Sequence, residues 1–337
     1  MKRILLVLAL ALALPVAAHA AYPGTNPAES PRANAPNDEH FDRCEADNEG
    51  GSQCGSYAEE QLGAFGFSPD SANQLPSVLA VPHYVTGTKY TDCTQLDKQG
   101  QDANAAAEGA DNQQSRCLQI GGVRTDTAHK YSTGDPGTVV AILDTGIRWD
   151  AAELIEQVHL NRGELPLPAG SGVYDRNGDG AFTVSDYAGQ VDKAAGDDEA
   201  DSVLDGSDLI ATFSDGTDAD RNGYVDDIAG WDFFDDDNDP LDSSSCCSAE
   251  NHGTHRAEGA LARTNNGNGD IGMCPRCQLM PLRVWDTFVV PTDNYAMGTV
   301  YAAANGASVV EGAVGGLTNT QFARQAFSYA DRQGLAL

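Results

Sequence analysis

The chain has 337 residues and is strongly acidic, with 50 Asp and Glu against 20 Lys and Arg and a formal net charge of -30. This balance excludes nucleic acid and anionic membranes as expected partners, because their phosphates would repel the chain. Apolar residues make up 41% of it and there are 36 glycines, so the composition predicts a large α/β domain with an extension and excludes a disordered acidic tail.

The first twenty residues are typical of a signal peptide. Two cationic residues precede an apolar run over residues 4–14, and the small residues Ala18 and Ala20 flank a cleavage site. The competing interpretation is a membrane anchor, but the apolar run is too short to span a bilayer. We therefore predict cleavage after Ala20, a secreted or periplasmic protein, and no membrane contact after cleavage.

Residues 21–125 are predicted to form an irregular, cysteine-containing segment, rich in Asn, Asp, Ser, Pro and Gly. Eight cysteines in an exported chain indicate disulfides, here bridged within each of two groups. The first group is Cys44, Cys54, Cys93 and Cys117, paired in that order because short loops close easily, and the second is Cys246, Cys247, Cys274 and Cys277. A four-thiolate zinc site in the second group is the alternative. It is less favoured because adjacent cysteines do not easily reach one tetrahedral ion.

Alternating strands and helices are predicted from residue 126 to the last residue. Residues 138–143 form an aliphatic, β-branched run followed by an Asp-Thr-Gly turn, which indicates a buried strand. Further strands are predicted at 279–284 and 307–314, and helices at 294–305 and 321–333, closed by Gly306 and Gly334. Strand and helix alternating at these lengths predict an α/β fold with a parallel sheet over residues 126–337.

Two polar residues in this domain are candidates for chemistry. Asp144 follows the first predicted strand, where it could also serve only to cap its own turn. His252 lies at a helix start beside Gly253, a setting in which an imidazole can act as a general base. The alternatives are simple helix capping and a zinc pair of His252 and His255, but the glutamate of the His-Glu-x-x-His motif is missing.

Residues 139–147 and 251–259 together resemble the Asp and His blocks of the subtilisin-like serine proteases, the subtilases. Those blocks read approximately Val-Ala-Val-Leu-Asp-Thr-Gly-Ile and His-Gly-Thr-His-Val-Ala-Gly, and residues 218–227 and 230–233 also resemble the family. The resemblance implies a subtilisin-like three-layer fold with a mostly parallel sheet, and hydrolysis of polypeptide substrates. Asp144 would orient His252, and His252 would deprotonate a serine hydroxyl.

Several positions depart from the family pattern. The family's Gly-Thr-Ser-Met-Ala block does not occur in residues 1–337, nor does the strand that carries its oxyanion-hole asparagine. We therefore expect an incomplete catalytic domain that is inactive by itself. Arg256 and Glu258 stand where the family has Val and Gly, and Glu311 and Ala313 stand where its substrate-binding strand has Asn and Ser.

The end of that substrate-binding strand is retained. The resemblance implies that Val314, Gly315 and Gly316 pair with the backbone of an extended peptide. The sequence does not indicate which peptides are preferred, nor the oligomeric state.

Two acidic loops within an insertion at 171–242 predict calcium as the cofactor. The Asp175 loop (residues 175–186) matches a twelve-residue calcium loop, although Asp replaces the usual Glu in its last position. Its oxygen ligands would be Asp175, Asn177, Asp179, the Ala181 carbonyl and Asp186. The Asp218 loop (residues 218–229) would use Asp218, Asp220, Asn222, the Tyr224 carbonyl and Asp226, with Ala229 in the twelfth position. The alternative for both is a solvated acidic turn, as we predict for residues 235–239.

Two other functional hypotheses are kept beside the protease. One is a non-catalytic, calcium-binding secreted module that has the subtilase fold without hydrolysis. The other is a zinc-dependent protein that uses His252, His255, Cys274 and Cys277.

Overall fold

The structure is a computed structural model and describes residues 128–148, 150–196, 203–242, 251–269, 271–286, 289–316 and 318–337. The predicted signal peptide, the segment 21–125, the first cysteine group and the Cys246/Cys247 pair lie outside these residues.

A four-stranded parallel sheet forms the centre of the described part. Its strands are β1 (Val139–Asp144), β2 (Trp231–Asp232), β3 (Gln278–Arg283) and β4 (Val309–Glu311). The strand order is β2-β3-β1-β4, and every neighbouring pair is parallel. All six residues of β1 are buried, as expected for a central strand with both faces covered.

Among the described residues, four α-helices accompany the sheet: α1 (Gly206–Phe213), α2 (His252–Leu261), α3 (Thr292–Ala304) and α4 (Gln321–Gln333). The side chain of Asp205 caps α1 and that of Thr320 caps α4, each accepting a backbone N–H of the first turn. Gly334 ends α4 with a φ of 86°, a conformation that favours glycine. No helix among the described residues is long and apolar enough to cross a membrane.

The two faces of β1 belong to different hydrophobic cores. Val140 and Ile142 pack on the side of α2, with Ala257 and Leu261. Ala141 and Leu143 face the opposite side, where residues of α3 and α4 cover the sheet. Helices therefore lie on both faces of a parallel sheet, which confirms the predicted α/β class and its three-layer arrangement.

The strand boundaries differ from the predicted ones, most of all at the sheet edge. β1 and β3 are each displaced by one residue, and β1 includes Asp144. β4 has only three residues instead of the eight predicted. Gly312, Gly315 and Gly316 lie just beyond it, and glycine contributes no side chain to stabilise an extended strand.

The second cysteine group is described in part. Cys274 and Cys277 form a disulfide immediately before β3. This pair agrees with the prediction of bridging within that group, and its sulfur atoms are not free thiolates for zinc.

A buried ion pair joins β2 to β3. Arg283 is 4% exposed and Asp232 is 1% exposed, and the guanidinium also contacts Asp235 and lies 5.0 Å from the ring centroid of Phe234. Burial raises the pKa of Asp232 despite the neighbouring cation. The pKa of Arg283 is also raised, against its own burial, by hydrogen bonds to Asp232 and Asp235. Burial therefore disfavours the charge of Asp232 while the ion pair favours the charge of Arg283, and the pair is tolerated only while both partners are present.

We predict that Arg283→Met lowers the free energy of unfolding by about 3 kcal/mol, because it leaves the Asp232 carboxylate buried without a cation. Chemical denaturation measures this change. The control is Arg148→Met, which breaks an ion pair to Asp150 with side chains 52% and 26% exposed, and it should cost less than about 1 kcal/mol. Equal losses of unfolding free energy in the two variants would contradict the stabilising role given to the buried Arg283–Asp232 pair.

Candidate active site

The structure brings Asp144 and His252 together at the carboxyl edge of the sheet. His252 Nδ1 lies 2.7 Å from Asp144 Oδ1, although the residues are 108 positions apart in sequence. A carboxylate only accepts hydrogen bonds, so the imidazole donates through Nδ1. In the neutral ring this leaves Nε2 with a lone pair, which is the arrangement that a general base requires.

Asp144 is held by the end of β1 and is fully buried. Its Oδ1 also accepts the backbone N–H of Thr145 at 2.7 Å. Oδ2 is buried and has no hydrogen-bond partner in the structure. Burial is the largest influence on this carboxyl and raises its pKa, while the hydrogen bonds from His252 and Thr145 act in the opposite direction.

His252 is the first residue of α2, and the loop after β1 holds that end of the helix. Gly253 N donates to Thr145 Oγ1 at 3.1 Å, and Arg148 N donates to Thr254 Oγ1 at 2.9 Å. One otherwise unpaired backbone N–H at the helix start, that of Gly253, and one side-chain hydroxyl, that of Thr254, therefore attach the helix to the turn that follows Asp144.

This attachment depends on glycine. A Cβ on Gly253 would lie 2.2 Å from the carbonyl oxygen of Gly146 and 3.0 Å from Asp144 Cβ. Gly146 itself has a φ of 102°, and a Cβ there would meet the backbone of Asp242 at 2.7 Å. Gly253 therefore allows the helix to approach the turn closely enough for the Asp144–His252 hydrogen bond, and Gly146 allows the same turn to pack against the backbone of residues 241–242.

Trp285 is a neighbour of His252 that was not predicted from the sequence. Its ring packs edge-on against the imidazole, with centroids 5.6 Å apart, and it is 5% exposed. His252 keeps 31% of its side chain exposed, so one side of the ring is packed and another faces solvent. In the sequence, the position of this tryptophan directly after a predicted buried strand could have indicated that it lies near the site.

The predicted substrate-binding residues follow β4 at the same edge of the sheet. Gly315 and Gly316 are exposed and Val314 is partly buried, and none of the three belongs to a strand. The carbonyl of Gly315 accepts the N–H of Val290 at 3.1 Å. Whether these residues pair with a peptide stays a prediction.

In the Asp175 loop, side-chain oxygens of the predicted ligands hold the backbone. Asp175 accepts the N–H of Gly178 and of Gly180, and Asp186 accepts those of Arg176 and Asn177. Asn177 and Asp179 likewise accept backbone N–H groups of the loop. Among the described residues, the carboxylates of Asp175, Asp179 and Asp186 are not brought into one group close enough to hold a cation together. Calcium binding by this loop, including a contribution from the Ala181 carbonyl, stays a prediction.

A carboxylate from a distant part of the chain, which the sequence did not indicate as a ligand, lies against the Asp218 loop. Among the described residues, Glu164, Asp218 and Asp220 bring carboxylate oxygens within 4.8 Å of one another. Burial raises the pKa of Glu164, and the charges of Asp220 and Asp218 add to the increase. Glu164 lies 54 positions before Asp218, so no local pattern could have indicated it.

The other predicted ligands of that loop have different surroundings. Asn222 accepts the N–H of Tyr224, and the Tyr224 ring packs against Trp231 with centroids 5.0 Å apart. Asp226 turns away and accepts the N–H groups of Asp215 and Gly216. The structure therefore does not bring the Asp226 side chain to the Glu164 cluster.

The neighbouring Asp227 lies closer to the predicted ligands than Asp226 does. It accepts hydrogen bonds from Asn161, Asn222 and Tyr301, and burial raises its pKa to about 6. It also lines a cavity of about 390 Å³ at the amino ends of β1 and β3. Ligand sites of open parallel sheets lie at the opposite, carboxyl edge, so we assign the chemistry to the Asp144–His252 edge.

We predict opposite effects for two alanine substitutions in α2. Gly253→Ala forces a Cβ into the Gly146 carbonyl and should lower the free energy of unfolding by about 1–3 kcal/mol. Gly259→Ala meets nothing within 4 Å, so the higher helix propensity of alanine should raise it by about 1 kcal/mol. Thermal unfolding of both variants measures the difference. A stable Gly253→Ala protein that keeps the Asp144–His252 hydrogen bond would contradict the role given to this glycine.

Comparison with known proteins identifies relatives of this arrangement. A family model described as the subtilase family matches residues 135–336. The thermophilic serine proteinase of Bacillus sp. (strain AK1) is 36% identical over 153 residues, covering 45% of this chain and 34% of that protein. Thermitase from Thermoactinomyces vulgaris is 36% identical over 108 residues, or 32% of this chain and 37% of its own. The chain thus spans about a third of the length of these curated relatives.

Among solved structures, fervidolysin from Fervidobacterium pennivorans, a keratinolytic enzyme related to subtilisin, covers 72% of this chain and 27% of its own, at 19% identity and a TM-score of 0.32. The family model spans more than half of the sequence and includes both Asp144 and His252. The chain belongs to the subtilase family of subtilisin-like serine proteases.

Proposed function

We propose that this chain provides the general base and its orienting carboxylate for a serine endopeptidase that hydrolyses polypeptides. The observation that carries the proposal is the 2.7 Å contact between His252 Nδ1 and the fully buried Asp144. Membership of the subtilase family supports peptide-bond hydrolysis as the reaction.

In the proposed mechanism, His252 Nε2 takes the proton of a serine hydroxyl while that oxygen attacks the peptide carbonyl. Asp144 keeps the ring in the tautomer that exposes the Nε2 lone pair, and it stabilises the imidazolium that forms. Because the carboxylate is buried, water screens this attraction only weakly. His252 then returns the proton to the leaving amine.

The proposal assigns the base and its orienting carboxylate to this chain, but not the nucleophile. The serines that follow His252 are Ser308 and Ser328. Ser328 donates its hydroxyl to the Arg324 carbonyl within α4, and the backbone N–H of Ser308 pairs with Val139 at the amino end of β1. Neither has the glycine-flanked helix start in which the family places its nucleophile.

We predict that residues 1–337 alone do not hydrolyse a chromogenic peptide, since removing any member of the triad leaves little activity. The same chain extended by sequence that encodes a Gly-Thr-Ser block should hydrolyse it. His252→Ala in that longer protein should reduce kcat by about 10⁶-fold, the magnitude known for the corresponding change in subtilisin itself.

The outcomes of this assay separate the hypotheses. Turnover by residues 1–337 that His252→Ala abolishes would contradict our assignment of the nucleophile. An extended chain that folds and binds calcium without hydrolysing any peptide would instead favour the non-catalytic module.

Substrate binding and export belong to the same proposal. The exposed segment 312–316 continues β4 past the dyad, and its glycines leave the backbone accessible to an extended peptide. Export is supported by the signal-like first twenty residues and by the Cys274–Cys277 disulfide, which suits an oxidising compartment.

Calcium at the two acidic loops is the second part of the proposal. The donor sets consist of carboxylate, amide and carbonyl oxygens, the ligands that Ca²⁺ prefers. In the Asp218 loop, the proximity of Glu164, Asp218 and Asp220 creates a repulsion that a cation would relieve. In the Asp175 loop, Gly178 and Gly180 have φ angles of 76° and 95°, which suit the sharp turn. Bound calcium would stabilise the loops and take no part in proton transfer.

We predict that the protein unfolds at a higher temperature in calcium than in chelator, with a gain of about 2.7 kcal/mol for a site at one hundred times its Kd. Asp179→Ala should remove much of the gain at the Asp175 loop, and Glu164→Gln should remove the contribution of the Asp218 loop. Asp237→Ala, at an exposed carboxylate of the predicted solvated run, is the control. Equal calcium responses in all three variants and the parent would identify both loops as solvated turns.

A further inference from the structure

Glu311 lies beside the Asp144–His252 pair, on a neighbouring strand. The register of β4 against β1 pairs Glu311 with Ile142. Side chains of paired residues point to the same face of a sheet, and those two positions apart along one strand also share a face. Ile142 faces the α2 side. Glu311 and Asp144 therefore both point toward the helix that begins with His252.

The Glu311 carboxylate is partly buried and incompletely paired. The residue is of intermediate exposure, and its Oε2 atom is buried without a hydrogen-bond partner. An unpaired carboxylate oxygen in this position costs folding free energy, and a neutral amide would avoid the charge. A residue that destabilises the fold beside reactive groups is a candidate for a functional role.

Groups on every adjoining element face this carboxylate. Burial raises the pKa of Glu311, the charge of Asp144 on β1 raises it further, and Arg256 and His252 on α2 lower it. From α3, the Tyr295 hydroxyl approaches Gly312, and burial together with the charges of Glu311 and Asp144 raises the pKa of Tyr295 to about 12. Tyr295 is therefore neutral in the working range, and the charges acting on Glu311 are those of Asp144, His252 and Arg256.

Arg256 is positioned to keep Glu311 ionised. It lies four residues after His252 in α2 and so extends from the same face of the helix. Arg256 and Glu311 are both departures from the family pattern, and the positive charge of exposed Arg256 acts on Glu311 to lower its pKa.

We propose that Glu311 is a positioning residue of the reaction: its carboxylate, supported by Arg256, stabilises the protonated His252 imidazole from the β4 side, in addition to Asp144. This inference rests on the proposed function, because it assigns His252 as the base. It means that two carboxylates act on the imidazolium of this chain.

The test follows the His252 ring by NMR in the full chain with ¹³C-labelled histidine, where the signal is assigned by its loss in His252→Ala. In Glu311→Gln the titration midpoint of the ring should fall by about 0.5 or more, since a nearby partly buried charge has been removed. Glu311→Asp should retain most of the effect. The control is Glu156→Gln, the same charge change in an exposed ion pair to Arg263, which should shift the midpoint by less than about 0.2.

A melting curve separates this role from a structural one. Removing a buried charge should leave the Glu311→Gln protein at least as stable as the parent, whereas a purely structural Glu311 would lower the melting temperature without moving the midpoint. If Glu311→Gln does not fold, Glu311→Ala is the second charge-removing variant, with the same expected shift. An unchanged midpoint in the charge-removing variant would overturn the proposal.

Asp144→Asn distinguishes this failure from failure of the proposed function. A midpoint that falls in Asp144→Asn but not in Glu311→Gln would refute only the role of Glu311. A midpoint that falls in neither variant would refute the assignment of His252 as the oriented base.

Discussion

The candidate site depends on one close approach between two backbones. The turn after Asp144 and the first turn of α2 meet where the Gly146 carbonyl leaves no room for a side chain on Gly253. Because the backbones come this close, Thr145 can accept the N–H of Gly253, and the imidazole of His252 reaches the buried carboxylate. The sheet provides the fixed end of this arrangement, since β1 is covered on both faces and cannot shift to relieve a clash.

Burial of charge is the second feature that organises the molecule. Three carboxylates near the carboxyl edge, those of Asp144, Asp232 and Glu311, have pKa values raised chiefly by desolvation. Each faces a cation or an imidazole that makes its ionised form acceptable, and in a chain of net charge -30 such partners are few. Asp232 is used to hold β2 on β3, whereas Asp144 and Glu311 face His252. A buried carboxylate therefore holds two strands together at Asp232 and, in our proposal, serves the chemistry at Asp144 and Glu311.

Local patterns predicted the elements well where the signal lies within a few residues. The helix at 321–333 was predicted with the observed bounds. The Thr320 side chain caps its first turn and Gly334 adopts the left-handed conformation that ends it, and both residue types are typical of these positions in a sequence. The strand at 307–314 was predicted too long, because an apolar run does not show at which residue an edge strand stops pairing with its neighbour. Asp226 shows the same limit: its spacing matched a loop ligand, yet its carboxylate holds Asp215 and Gly216.

The sequence by itself determined the α/β class, the family resemblance, and the identity of Asp144 and His252 as the residues to examine, because strand runs, turns and ordered motif blocks are written in consecutive residues. Only the tertiary structure decided which distant groups join them. Trp285 against the imidazole, Glu164 beside the Asp218 loop, and Glu311 on the face shared with Asp144 all depend on strand order and register. Those contacts arise between segments tens of residues apart, where packing in space and not spacing along the chain sets the neighbours of a charge.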